Sequence, residues 1–177
     1  YAGYASHTVR RGDTLYLIAR RYGSSVGAIE TANPGLEELD LRTGQTLIVP
    51  LGFPVVPECI DCCSALISFC CRGLAARYPF ITLGEMGKSV MGSPLYTLTL
   101  GSGPSRVFYS ASHHANEWIT TLLLLKFCEQ LSQAAASGGE IYGRSAEALL
   151  SVCTLCIAPA VDPDGIDLVT GALRSGP

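Results

Sequence analysis

Three prolines in eight residues, at Pro50, Pro54 and Pro57 of "PLGFPVVPE", constrain this chain more than any other feature. Proline fixes φ and has no backbone N–H to give, so neither a helix nor an interior strand can run through the stretch. The chain is therefore expected to fold as two units, residues 5–50 and 59–177, with 51–58 as the linker. Its 177 residues suit one ordinary domain or a small module plus part of a larger one, and the prolines favour the second. With 48% hydrophobic and only 15% charged residues, both units should be packed rather than disordered.

The first unit reads element by element. "HTVRR" is a short strand, and "GDT" turns the chain with Asp13 placed to cap the helix that follows. Leu15, Ile18, Ala19 and Tyr22 recur at helical spacing, and Gly23 supplies the stop. Ser25 caps a second helix carrying Val26 and Ile29, which must end by Asn33 because Pro34 follows. "GQTLIVP" closes the unit as a strand, giving β-α-α-β.

The residues that carry this unit, "GDTL", "IARRYG", "ANPG" and "LRTGQTLIVP", resemble the LysM module over nearly all its length. The resemblance implies binding of glycans that contain N-acetylglucosamine, notably peptidoglycan and chitin. They would lie in a shallow groove lined by Gly12, Asp13, Thr14 and the turn Asn33, Pro34, Gly35. Residue types alone allow a plainer role, in which Asp13 and Asn33 cap helices while Gly12 and Pro34 shape turns; the two roles are compatible. One such module alone should bind weakly without a second contact.

The second unit opens with an apolar helix, "CCSALISFCCRGLAARYPF", that ends before Pro79. "ITLGEMG" and "PLYTLTLG" read as strands joined by a turn around Gly92, a hairpin. A third strand, "RVFYSASHH", runs into a helix opened by "NEWIT". That helix carries Ile119, Leu122 to Leu125, Phe127, Cys128 and Leu131, so it is apolar on almost every side and should be surrounded by protein. A last strand, "VCTLCIAPAV", reaches "DPDG", read as a turn. Strands alternating with helices point to an α/β mixed sheet covered on both faces.

Several classes fall away. A net charge of −3 and the lack of any basic run give no support to nucleic-acid binding. The longest apolar stretch, Trp118 to Cys128, is about half of the roughly 20 residues needed to span a bilayer, and Lys126 interrupts it. No charged leader precedes an apolar core, so a signal peptide is either absent or outside this sequence, and the compartment stays open. The eight cysteines include Cys59-x-x-Cys62 and Cys153-x-x-Cys156. Residues three apart on a strand diverge, and paired cysteines in an apolar helix behave as small hydrophobes, so structural, reduced thiols are expected over a zinc knuckle. That usage leans toward a reducing setting.

"HHANEWIT" carries the chemistry. Adjacent strand residues point opposite ways, so only one of His113 and His114 can face a given site at the carboxyl end of the strand. Glu117 lies three residues past His114, close enough for an imidazole and a carboxylate to share one zinc ion at about 2.0 to 2.2 Å. A hydrogen-bonded pair without metal explains the same spacing.

Together, "HHANEWIT", the upstream "GKSVMGSPLYTLTLG" and the downstream "APAVDPDGIDLVT" resemble the zinc carboxypeptidase family, roughly from Cys59 onward. By that resemblance His114 and Glu117 are two zinc ligands, Trp118 follows as in the family, and His113 is structural. The implied mechanism has the metal polarise the scissile carbonyl and activate a water while a glutamate takes its proton. Asn116 stands where digestive members carry a substrate-holding arginine, "DPDG" where Asn-Pro-Asp-Gly is usual, and Ser93 where arginine is frequent. These departures argue against a digestive type of C-terminal specificity. The third ligand, the remaining substrate-binding residues and the general base are expected beyond Pro177, leaving this stretch alone inactive.

A LysM module ahead of such a peptidase resembles the bacterial γ-D-glutamyl-diamino acid endopeptidases, which implies a cell-wall stem peptide as substrate and a cell-wall- or spore-associated bacterial protein. Two alternatives stand beside it: a glycan-binding protein with a degenerate, non-catalytic peptidase region, and a zinc metallocarboxypeptidase acting on ordinary peptides.

Overall fold

In a computed structural model that describes residues 3–36, 41–58 and 60–173, the first unit pairs strand β1 (Tyr4–Thr8) antiparallel with β2 (Thr46–Pro50), from Tyr4 opposite Pro50 to Thr8 opposite Thr46. Between them run helices α1 (Leu15–Tyr22) and α2 (Val26–Ala32). The sequence accounts for both helix ends. Thr14 accepts a hydrogen bond from the Leu17 amide, Ser25 accepts one from the Ala28 amide, and Gly23 closes α1 at φ 63°, a conformation that costs glycine little. Leu15, Ile18, Ile29, Leu47 and Val49, each at most 1% exposed, form this unit's own core. The strand lies earlier than "HTVRR", because His7 is buried and the chain turns away from Arg10.

The second unit begins with α3 (Ser64–Arg77), followed by the hairpin β3 (Thr82–Lys88) and β4 (Pro94–Leu100). Strand β5 (Ser105–Ser110) leads into a single 3-10 turn at Ala115–Glu117 and then α4 (Trp118–Ala136). A two-residue hairpin, β6 (Glu140–Ile141) and β7 (Arg144–Ser145), helix α5 (Ala146–Val152), strand β8 (Cys153–Ala158) and helix α6 (Pro163–Val169) complete the order. The main sheet runs β3-β4-β8-β5, with the first two pairings antiparallel and β5 parallel to β8. It is open: a β-α-α-β module is followed by a mixed α/β domain whose sheet does not close.

Alternation on β4 buries Tyr96, Leu98 and Leu100 against α3 and α4, whose Leu74, Leu125 and Cys128 are fully buried. Three expectations change. "DPDG" starts a helix: Asp162 caps α6 through its carboxylate to the Gly165 amide, with Pro163 in the first turn. The third strand stops at Ser110, so both histidines lie beyond its end. Helix α4 is covered only in part, since Ile119 is 59% and Leu123 70% exposed; neither packs into the core that α3, α5 and β8 share. The seven described cysteines are free thiols, and burial pushes Cys62, Cys70 and Cys128 up to about 12, as expected of core hydrophobes. Cys59, of the Cys59/Cys62 spacing, lies outside the described residues.

Candidate metal and glycan sites

Past Ser110 the chain keeps bonding to the extension of β8: the Ala111 amide donates to Ala158 O, and the Val161 and Asp162 amides donate to Ala111 O and Ser112 O. Ser112, 1% exposed, sits at φ 48°, in the left-handed region that a serine seldom occupies. Its surroundings hold it there. Its amide donates to Thr120 Oγ1 at 3.0 Å, and its hydroxyl donates to Thr121 Oγ1 at 2.7 Å with Glu117 O 3.0 Å away. Thr121 in turn donates to Pro159 O at 2.7 Å. This buried hydroxyl network ties the end of β5, the 3-10 turn and the first turn of α4 into one piece.

On that frame His114 Nδ1 stands 3.2 Å from Glu117 Oε1, with side chains 76% and 47% exposed. Two donors on one tetrahedral zinc at 2.0 to 2.2 Å are roughly 3.3 to 3.6 Å apart, so the pair would need only a slight opening to hold two positions of such an ion. The same distance suits a hydrogen bond, and no group of three or more possible ligands occurs among the described residues. His113 turns elsewhere, its Nε2 2.9 Å from Ser110 Oγ.

The three separated motifs meet here. Helix α6 packs against the 3-10 turn: a Cβ on Gly165 would lie 2.1 Å from Asp162 Oδ2 and 2.9 Å from Ala115 Cβ, so glycine permits the contact. Asp164, one residue earlier, accepts from Ser89 Oγ at 2.7 Å and the Met91 amide at 2.9 Å, which fastens the β3-β4 turn to α6. Burial works to raise the Asp164 pKa, but the Met91 amide and the hydroxyls of Ser89 and Ser93 outweigh it and hold the carboxyl below its ordinary value. The sequence reading missed Asp164, Gly165 and Ser112. An Asp-Pro-Asp-Gly run is a helix-start pattern and could have revealed the first two; Ser112 left no local signal.

In the module, Asp13 does not cap α1. Its Oδ2 accepts from the Arg10 amide at 2.9 Å and lies 2.8 Å from His7 Nε2, while His7 Nδ1 is 3.1 Å from the Tyr22 hydroxyl. Thr14, one residue on, takes the cap because its hydroxyl, not the carboxylate, reaches the Leu17 amide. The Arg10 amide, then the His7 hydrogen bond, hold Asp13 below the ordinary carboxylate range against the opposing effect of burial, with the charges of His7 and Arg21 adding to the lowering. Asn33 ends α2 and also staples it to β2, donating to Ile29 O and Ile48 O and accepting from the Ile48 amide. Gly12, Thr14, Pro34 and Gly35 are exposed. Gly12 and Gly35 take φ 89° and 79° in two turns closed by Asp13 to Arg10 and Leu36 to Asn33 bonds.

The family described as zinc carboxypeptidase matches residues 67–175, and the LysM domain matches residues 7–50. Gamma-D-glutamyl-L-diamino acid endopeptidase 1 of Lysinibacillus sphaericus is 38% identical over 98 residues, covering 55% of this chain and 25% of that protein. Carboxypeptidase E of Caenorhabditis elegans is 32% identical over 97 residues, covering 51% of this chain and 20% of its own. The chain thus matches a quarter or less of these relatives' length. Among solved structures, bovine thrombin-activatable fibrinolysis inhibitor in complex with tick carboxypeptidase inhibitor aligns at TM-score 0.52 and 24% identity, over 63% of this chain and 34% of that one, a likeness of fold.

Proposed function

Because the chain belongs to the zinc carboxypeptidase family and carries a LysM domain ahead of it, we propose that it serves a peptidoglycan-targeted zinc metallopeptidase cutting the γ-D-glutamyl-diamino acid bond of cell-wall stem peptides. The observation that carries this reading is the His114–Glu117 pair at 3.2 Å, held by the Ser112 network at the carboxyl end of β5 in a chain similar to an enzyme of that name. Zinc, when bound, supplies a Lewis acid for the scissile carbonyl and acidifies water.

In this proposal His114 and Glu117 hold two positions of the ion. Gly12, Asp13, Thr14, Asn33, Pro34 and Gly35 form the glycan groove: the exposed Gly12, Thr14, Pro34 and Gly35 offer contacts, while Asp13 and Asn33 fix the loops from inside. Residues 5–50 are the glycan-binding module, 51–58 the linker and 59–177 the peptidase part, acting on a cell-wall- or spore-associated substrate. A glycan tether raises the local concentration of stem peptide near the metal.

The experiment is to offer zinc-loaded protein carrying this sequence an L-alanyl-γ-D-glutamyl-diaminopimelate tripeptide and an ordinary peptide of similar length, and to follow zinc by equilibrium dialysis. Cleavage of the γ-D-glutamyl bond, with zinc binding largely lost in His114→Ala, supports the reading. Release of C-terminal residues from the ordinary peptide alone would make the chain a conventional carboxypeptidase, and pelleting with peptidoglycan without cleavage would leave a glycan binder.

A further inference from the structure

Where the two units meet, the α1–α2 turn, the linker and the C-terminal half of α4 enclose a cleft of about 850 Å³. It is a built junction. Arg77 donates to the carbonyls of Gly3, Leu51 and Phe53, and the buried Glu129 accepts from the Val55 and Val56 amides. Gly52 comes so near the module that a Cβ there would lie 2.0 Å from Gly23 O. The cleft is distinct from the His114–Glu117 pair, since even Lys126, the first residue of α4 to line it, follows Glu117 by nine residues, about 13 Å along the helix axis.

Its lining points to a class of ligand. Arg77 and Lys126 are the cations of the lining and Glu129 its carboxylate: Lys126 pairs with Glu129 at 3.4 Å and with Glu58, which stands outside the lining, at 3.4 Å, and Arg77 with Glu129 at 3.8 Å, so both cations are already paired. What the walls offer besides is neutral: the Ser24 and Thr31 hydroxyls, the exposed amides of Gln130 and Gln133, and the half-exposed ring of Phe53. Two buried polar atoms of the lining residues, Ser24 Oγ and Arg77 Nε, have no hydrogen-bond partner among the described residues, and such atoms ordinarily have one. The size falls in the usual range for ligand pockets of about 300 to 1,000 Å³.

We infer that this junction cleft is a second saccharide site, separate from the module's loop groove, that takes a neutral N-acetylated oligosaccharide. Side-chain amides and hydroxyls meet the acetamido and hydroxyl groups, and Phe53 packs against the apolar face of a sugar ring. The choice of an N-acetylated sugar rests on the cell-wall reading above, while the cleft and the pairing of its charges do not. A strand held at both sites would engage the module and the peptidase part at once, which answers the weak binding expected of one module.

The test is a titration of the full ¹⁵N-labelled chain with tetra-N-acetylchitotetraose, with maltotetraose as the sugar lacking acetamido groups. The proposal expects amides at 24–28 and 130–137 to shift with the chitotetraose only, as a set with its own affinity. Gly27 lines the cleft with open space at its Cβ, so Gly27→Trp should block the site and abolish these shifts while those at 12–14, 33 and 35 persist. Gln130→Ala/Gln133→Ala, two exposed changes that leave the core alone, should weaken the cleft set roughly tenfold. Shifts confined to the module loops overturn the second site and leave the groove reading intact. Shifts confined to the cleft support it and overturn the groove reading. No shifts anywhere overturn both, and equal shifts with maltotetraose overturn the acetamido selectivity.

Discussion

Ser112 shows how a residue with no sequence signature can govern a candidate active centre. The residue is 1% exposed, its hydroxyl lies against Thr121 Oγ1 and Glu117 O, and its φ of 48° comes just ahead of the 3-10 turn that brings Glu117 back to His114. Ser112→Ala removes the bonds without changing the backbone, and should cost about 1 to 3 kcal/mol in urea unfolding. Zinc affinity, followed by dialysis, should fall with it; unchanged stability would mean the hydroxyls are bystanders. Gly165 carries the complementary constraint. Gly165→Ala puts a methyl against the Asp162 carboxylate, which can swing aside only by giving up its cap on α6, and against Ala115 Cβ, which cannot yield without moving the 3-10 turn, so a loss of about 1 to 3 kcal/mol is expected from the same melt.

At the scale of elements, the β1–α1 loop depends on one carboxylate. The folded Asp13 pKa is lowered, so its ionisation stabilises the module at pH values above the unfolded value of about 3.9. That contribution is lost as pH falls through the still lower folded value. Thermal melts between pH 5 and pH 2 should therefore show a steep acid decline in the wild type, and a shallower one from an already lower starting point in Asp13→Asn. The helix starts behave more simply: Thr14→Ala removes the α1 cap and should cost about 1 kcal/mol. Local chemistry of this kind was readable in advance at Gly23 and Ser25, and was misassigned by one residue at Asp13 because sequence shows a capping carboxylate but not the buried histidine that claims it.

At the scale of the molecule, the proline-rich stretch is pinned rather than loose. Glu129, 4% exposed, holds the amides of Val55 and Val56, and Arg77 holds the linker carbonyls of Leu51 and Phe53 together with that of Gly3 ahead of β1. Truncating Glu129 to alanine leaves buried amides and Arg77 without their carboxylate and should cost about 3 to 5 kcal/mol. Limited proteolysis provides the second readout: cleavage within 51–57 should be slow in the wild type and rapid in Glu129→Ala, and equal rates would show that the junction does not depend on this residue. A lone glutamate in the apolar run "LLLLKFCEQL" was a visible signal, since such a charge is rarely buried without a partner.

The sequence alone determined the module, because its caps, stops and apolar spacings all act within about forty-five contiguous residues, and local rules agree with the packing. It also determined the hairpin around Gly92, the apolar helices α3 and α4, and the spacing of His114 and Glu117. Tertiary structure decided whatever depends on residues far apart in the chain. Ser89 meets Asp164 across 75 positions and Val55 meets Glu129 across 74, and no periodicity encodes those pairs. Hydrophobic patterning sets which face of an element is buried, but the partner of a buried polar group is chosen only when the elements are brought together. For that reason the candidate ligands were legible as residues, whereas the hydroxyl network that aims them and the cleft that joins the two units emerged only from the folded chain.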